Sequence, residues 1–450
     1  MNPEAKDRFA RVAALKPSRK RSATAESRGI APDFPEGAAR LAEILGAATQ
    51  RTRYGEHLAL RRWFSDPPGS EPSACAPEGE LDAGALRLLA PDAPVEVSDP
   101  QRWLFLDTET TGLAGGTGTY AFLVGVGWWD AGGLQVEQFF MREHSEEHSL
   151  LVALAERLAE RPVLVTFNGK CFDWPLLETR YRMTRAIRPP ALLAHLDLLH
   201  PARNLWRLRL GSVRLAELEK HVLGWNRGAD VVSEFIPEAY FDFVRGGRAE
   251  PLVPVFLHNQ MDLRGLAGLS GRILSLLAEP DDDGPGANRI DAFELYGMSR
   301  ICERRGQSKR ARNLYQRSIA SELPPEMDRA ARQSLARLAK REGDLSHARE
   351  LWEGLLGGSK EGLEAYEQLA IYHEHHALEP HRAASVTRRA LAELRRANRL
   401  GTMAGSPYRR SRQRFEHRLA RLERKAGSTL LDVTEAESRQ GSNESNEEGT

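Results

Sequence analysis

Apolar and polar positions change rhythm along this chain, and from residue 103 onward the rhythm predicts a mixed α/β domain. Residues 103–106 form a short apolar run, residues 120–129 a longer one rich in valine and aromatics, and residues 134–141 alternate polar with apolar. Short apolar runs and period-two alternation are strand signals, so three successive strands are expected. A helical pattern over 146–160 leads past Pro162 to a further buried strand at 163–167, followed by helix signals over 174–182. Residues 191–199 supply a fifth strand, and 214–223, 233–244 and 252–277 read as helices. Strands and helices intermixed in this way specify α/β architecture.

The flanks differ in texture. Residues 1–100 hold a basic start (Lys16, Arg19, Lys20, Arg21), one helical pattern near 38–48 and a Pro/Ser/Gly-rich stretch at 66–77, and are expected to be largely disordered or loosely structured. The acidic, Gly/Pro-rich residues 279–287 read as a linker, ending a domain over 101–278. Beyond it the chain repeats itself. Gly306, Ala311, Leu314 and Tyr315 recur 37 positions later as Gly343, Ala348, Leu351 and Trp352, and Ala383 with Val386 continues the frame. This helix–turn–helix period over 288–425 resembles a tetratricopeptide array, with Leu378 standing where the third glycine belongs. The Ser/Asn-rich acidic residues 426–450 are expected to be disordered.

Composition narrows the class. At 450 residues the chain exceeds one hydrophobic core, and roughly 150 residues per domain gives about three units. An apolar fraction of 41% with 28% charged residues excludes collagen-like and fully disordered chains. No run approaches a membrane span and the start is polar, so no membrane association and a cytoplasmic location are expected. Cys75, Cys171 and Cys302 have no metal or disulfide spacing and read as plain thiols. The 63 basic and 63 acidic residues cancel in sum but not in place. Eight arginines fall within 178–214 against Glu178 and Asp197, and fourteen Arg or Lys within 382–425 against three Glu. Basic blocks of this kind suit phosphate backbones.

Three segments carry candidate chemistry. Asp107 and Glu109 follow the apolar run 103–106 two residues apart, so both face one side of a strand. Paired carboxylates repel in a low-dielectric site, and a cation is what normally brings them together. Asp173 follows the buried strand at 163–167 through Asn168–Gly–Lys170, at a helix start. His258 and Asp262 stand four apart on a long helical pattern, on one face.

In this order the three segments resemble the DEDD family of two-metal exonucleases, built on a ribonuclease H-like fold. With the Gly-rich turn at 114–119 and Pro175–Glu178, residues 103–277 resemble more narrowly the bacterial YprB-type ribonuclease H-like proteins. One departure is plain: the family's His subgroup separates His and Asp by five residues, whereas the four-residue spacing here is that of its Tyr subgroup. The resemblance implies a ribonuclease H-like mixed-sheet domain followed by an all-α repeat domain. It implies a 3′–5′ exonuclease in which Asp107, Glu109, Asp173 and Asp262 hold two Mg²⁺ or Mn²⁺ ions and His258 is the base. Lys170 and Arg180 are the expected nucleic-acid contacts, single-stranded or 3′-ended DNA the expected polymer, and a helicase or repair factor the expected partner of the repeats. An RNA-trimming enzyme and a non-cleaving, partner-recruiting module stay open, because the motifs do not choose the sugar.

Overall fold

A computed structural model describes residues 34–65, 79–112, 118–228, 231–278, 290–357 and 359–444. The basic start, the Pro/Ser/Gly-rich stretch, most of the Gly-rich turn and the expected linker lie outside the described residues. The first described elements are α1 (Phe34–Leu45), β1 (Ala48–Thr52), β2 (Gly55–Ser65) and α2 (Ala83–Leu89). There follow β3 (Trp103–Thr110), β4 (Ala121–Asp130), β5 (Gly133–Phe140), α3 (Glu147–Glu160), β6 (Val163–Thr166), α4 (Asp173–Thr184) and β7 (Ala194–Asp197). Next come α5 (Leu199–Leu210), α6 (Leu215–His221), α7 (Ile236–Val244) and α8 (Val253–Ala278). The α/β order expected from the pattern is present. Helix α5 is an addition to it: arginines at 203, 207 and 209 break up the pattern, but Leu199, Ala202, Leu205 and Trp206 form a buried stripe.

The strands make one seven-stranded mixed sheet in the order β1-β2-β5-β4-β3-β6-β7. β3 pairs antiparallel with β4 and parallel with β6, and β7 is parallel to β6 at the edge. Alternation along β3 sends Trp103 and Phe105 into one core and Leu104 and Leu106 into the other. α3, α4 and α7 fill the second core, while α5 and the C-terminal half of α8 fill the first. Both faces are therefore covered, as the parallel strands require.

The N-terminal expectation needs correction. β2 pairs antiparallel with β5 from Leu58 to Ser65, and β1 pairs with β2, so a hairpin from the supposedly loose region widens the sheet. Leu41 of α1, Leu58 and Leu60 are buried, and α2 packs Ala85, Leu86 and Leu88 into the core. The reason is local: β5 without β2 would present a row of unpaired backbone groups along a mostly buried strand.

Among the described residues seven helices follow: α9 (Ala292–Arg304), α10 (Ser308–Ala320), α11 (Pro325–Arg341), α12 (Leu345–Gly354), α13 (Lys360–His375), α14 (Pro380–Arg399) and α15 (Gly405–Glu444). The turns before α10 and α12 carry Gly306 at φ +74° and Gly343 at φ +84°. Leu378, before α14, adopts the same left-handed conformation at φ +56°. Five residues after each, Ala311, Ala348 and Ala383 are completely buried, so the frame read from the sequence is a packing frame. The tail expected to be disordered from 426 is corrected in part, since α15 runs on to Glu444. No proline occurs there to interrupt its hydrogen-bond ladder.

The array is docked on the sheet domain. Gly297 of α9 lies against α5, where a Cβ would come within 2.5 Å of the Asn204 carbonyl oxygen. Trp206 Nε1 donates to Glu294 Oε1 at 2.8 Å, and Arg272 of α8 pairs with the same carboxylate at 3.1 Å. Much of the C-terminal basic block is spent internally. Arg421 reaches buried Glu374 at 2.6 Å, Arg414 reaches Glu367 at 3.1 Å, and Arg388 reaches Glu423 at 2.9 Å.

Candidate active site

Strand β3 extends four residues beyond its apolar run, so Asp107 and Glu109 lie within the strand and share the face of Trp103 and Phe105. A register irregularity between Glu109 and Thr110 ends regular pairing with β4. Such irregularities re-aim the side chains beside them. Helix α8 lies over this face and brings His258, Asn259 and Asp262 to it. His258 Nε2 stands 4.0 Å from Glu109 Oε1 and 3.6 Å from Asp262 Oδ2. Asp173 opens α4 after the β6 loop, and Thr108 donates its hydroxyl to Asp173 Oδ1 at 2.5 Å. Asp107, Glu109, Asp173, His258 and Asp262, scattered over more than 150 residues, are thus gathered around the end of β3.

The electrostatics follow from the crowding. Burial pushes the Asp107 carboxyl well above the usual carboxylate range, and the charges of Asp262 and Asp173 push it further. Burial likewise raises Asp173, with Asp197 adding to it and the Thr108 hydroxyl opposing. Each carboxylate leans on a polar neighbour. Asn259 Nδ2 donates to Asp107 Oδ2 at 2.8 Å, and Arg227 donates to Asp262 while also holding Glu219 of α6. Among the described residues no three His, Cys, Asp or Glu side chains form a ready-made metal cage. The chemistry of the donor set nevertheless fits a hard divalent cation: carboxylate oxygens, mutually repelling and partly desolvated, have most to gain from added positive charge.

Several of these supports were missed in the sequence. Asn259 and Thr108 each sit next to a motif residue other than the one they serve, His258 and Asp107 respectively, an adjacency that could have raised them. Nothing in the pattern singles out Arg227, which lies between Gly224 and Gly228, both at positive φ. Asp197 proves to be an organiser of the β6 loop, accepting from the backbone of Asn168 at 2.8 Å, Lys170 at 3.2 Å and Leu199 at 3.1 Å. Gly125, opposite Asp107 in β4, makes room for Asn259: a Cβ there would fall 2.1 Å from Asn259 Oδ1.

Of the two expected nucleic-acid contacts, Lys170 is exposed on the β6 loop. Arg180 is a correction. It is 3% exposed, its guanidinium is held by Glu147 through bonds of 2.5 and 2.6 Å, and it lies 3.9 Å over the Tyr120 ring. A helix interior facing an acidic partner has taken it, so it is a structural cation. Among the described cysteines, Cys171 is exposed and Cys302 is buried. No described helix is long and apolar enough to cross a membrane.

The fold defines a ribonuclease H-like protein, and the sequence profile of the RNase_H superfamily matches residues 104–274. The chain is also 31% identical over 332 residues to the Bacillus subtilis (strain 168) protein described as "Uncharacterized protein YprB". That match covers 72% of this chain and 75% of that protein. The chain belongs to the YprB family. Among solved structures, it is similar to a chain of the family B DNA polymerase from the archaeon Pyrobaculum calidifontis, at 15% identity and a TM-score of 0.33. That match covers 48% of this chain and 29% of the polymerase chain, so the polymerase is much the longer protein.

Proposed function

We propose that the chain is a metal-dependent 3′–5′ exonuclease of the DEDD type that shortens nucleic acid, DNA in preference to RNA, in DNA repair or processing. The observation that carries this reading is the convergence of Asp107, Asp173 and Asp262 from three separate elements, close enough for their charges to act on one another, with His258 beside Glu109 and Asp262. A structural role would disperse or neutralise such charges.

Asp107, Glu109, Asp173 and Asp262 would hold two Mg²⁺ or Mn²⁺ ions, which when bound supply charge neutralisation for the phosphate and an acidified water. Asn259 fixes the rotamer of Asp107, Thr108 that of Asp173 and Arg227 that of Asp262, so the oxygens are aimed before substrate arrives. His258 accepts the proton released as water attacks phosphorus. Lys170, on the exposed loop leading to Asp173, draws the phosphate strand toward the carboxylates. The helical array, read as tetratricopeptide-like, would hold a protein partner such as a helicase or repair factor.

The test is cleavage of 3′- and 5′-end-labelled single- and double-stranded DNA and matched RNA, with Mg²⁺, Mn²⁺ or chelator. Stepwise metal-dependent loss from the 3′ end that vanishes in Asp107→Ala and weakens in His258→Ala is expected. Binding without cleavage of any polymer would overturn the reading.

A further inference from the structure

A cavity of about 690 Å³ opens where β7, the segment after α2 and the end of α9 meet. It is built by both parts of the molecule. Lys170 and Asp197 stand at one side of it, His200 of α5 on its wall, and Arg304 and Arg305 of α9 across from them. β7 is two strands from β3, so with strands about 4.8 Å apart the cavity starts roughly 10 Å to the side of Asp107.

Its charge is preorganised. Arg305 donates to the carbonyl oxygens of Leu88 at 2.9 Å and Leu89 at 3.2 Å, and Arg304 donates to Asn204 Oδ1 and to the Arg300 carbonyl. These neutral oxygens orient both guanidinium groups without cancelling their charge. Burial, and then the neighbouring charges of Arg300 and Arg305, hold Arg304 below its usual range, a strain an anion would relieve. On the acidic side, Asp197 is engaged by three backbone N–H groups, and Asp92 is exposed in the segment after α2. Apolar wall is supplied by Leu193, Pro201 and Ile301. Basic heads set against an apolar wall are what a single nucleic-acid strand uses, phosphates on the cations and bases or sugars on the wall.

We propose that this cavity binds the single-stranded segment flanking the one engaged by the carboxylates, its phosphates on Lys170, Arg304 and Arg305. The proposal rests on the nuclease reading and gives the helical array a direct part in substrate binding, through α9 and not through the basic helices near the C-terminus.

The test is fluorescence anisotropy of labelled oligothymidylate and oligouridylate, three and twelve nucleotides long, with Ca²⁺ supplied to neutralise the carboxylates, over a range of monovalent salt. The full chain is compared with Arg304→Gln and Arg304→Glu, with thermal melting as a check on folding. Arg304→Glu is expected to weaken the twelve-mer about tenfold and Arg304→Gln less, with the salt slope falling by about one per contact removed, while the three-mer binds as before. Unchanged twelve-mer affinity and slope in folded Arg304 variants would overturn the proposal, as would an equal loss for both lengths. Cleavage by the unmodified chain is read separately. A chain that needs Arg304 for the twelve-mer but cuts no polymer would end the nuclease reading and leave the binding site standing.

Discussion

Asn259 donates its side-chain amide to Asp107 Oδ2 at 2.8 Å and accepts from Gln138 Nε2 at the same distance, joining the carboxylate cluster to the centre of the sheet. Gln260 Nε2 adds a bond to Gln138 Oε1 at 2.7 Å, and Gln138 reaches the Phe256 carbonyl at 3.0 Å. Helix α8 is therefore registered on β3 and β5 by buried amides as well as by apolar packing. Fully satisfied networks of this kind specify one arrangement, and one missing member leaves the others orphaned.

Asn259→Leu should destabilise the protein by about 1–3 kcal/mol, because Asp107 and Gln138 each lose a buried partner. Gly125→Ala should act on the same contact from below, its Cβ meeting Asn259 Oδ1 at 2.1 Å. Thermal melting checks the stability. Cleavage assays should show both variants impaired although every carboxylate is intact, and a fully active Gly125→Ala would refute the linkage.

Arg227 bridges Asp262 and Glu219, with its side chain 9% exposed. Arg227→Met should cost about 3–5 kcal/mol in chelator, the loss expected when a buried ion pair is broken on one side. Mn²⁺ or Mg²⁺, neutralising the same carboxylates, should raise the melting temperature of Arg227→Met more than that of the unmodified chain. An equal or smaller shift would show that Asp262 does not share a cation with its neighbours.

His57 is completely buried with Nδ1 2.8 Å from Ser149 Oγ, and burial lowers its pKa from 6.5 to about 4. Between those values the unfolded chain takes up a proton that the folded chain refuses. The stability tied to neutral His57 is thus complete above pH 6.5, declines as pH falls toward 4 and loses nothing more below it. At about 1.4 kcal/mol per pKa unit the total is at most about 3.5 kcal/mol. Urea titrations from pH 7.5 to 4 should show this slope, and His57→Gln should flatten it.

Leu378 performs a glycine's turn with a side chain that is 73% exposed. A non-glycine residue in that conformation costs roughly 1–2 kcal/mol, partly offset by the greater freedom of unfolded glycine. Leu378→Gly should accordingly stabilise the array by about 0.5–1 kcal/mol, while Gly343→Leu should destabilise it. Differential melting of the two variants measures both signs.

Arg180→Met tests the reassignment of that residue. Loss of the Glu147 pair should lower stability by about 3–5 kcal/mol. The affinity of the folded protein for oligonucleotides should not change; a weakened affinity with normal stability would return Arg180 to the substrate.

Apart from α5, the order of elements from residue 103 to 278, the acidic residues at their ends and the repeat frame marked by Ala311, Ala348 and Ala383 were legible in the chain, because they are written in local periodicity and spacing. What escaped local reading depends on partners distant in sequence. The hairpin of β1 and β2 becomes ordered only because β5 offers it an edge 68 to 82 residues away. Arg180 and Arg227 look alike as exposed cations until folding sets Glu147 beside one and Glu219 with Asp262 beside the other. Periodicity tells which face a residue occupies along its own element; which charge it meets across a core is decided by how the elements pack.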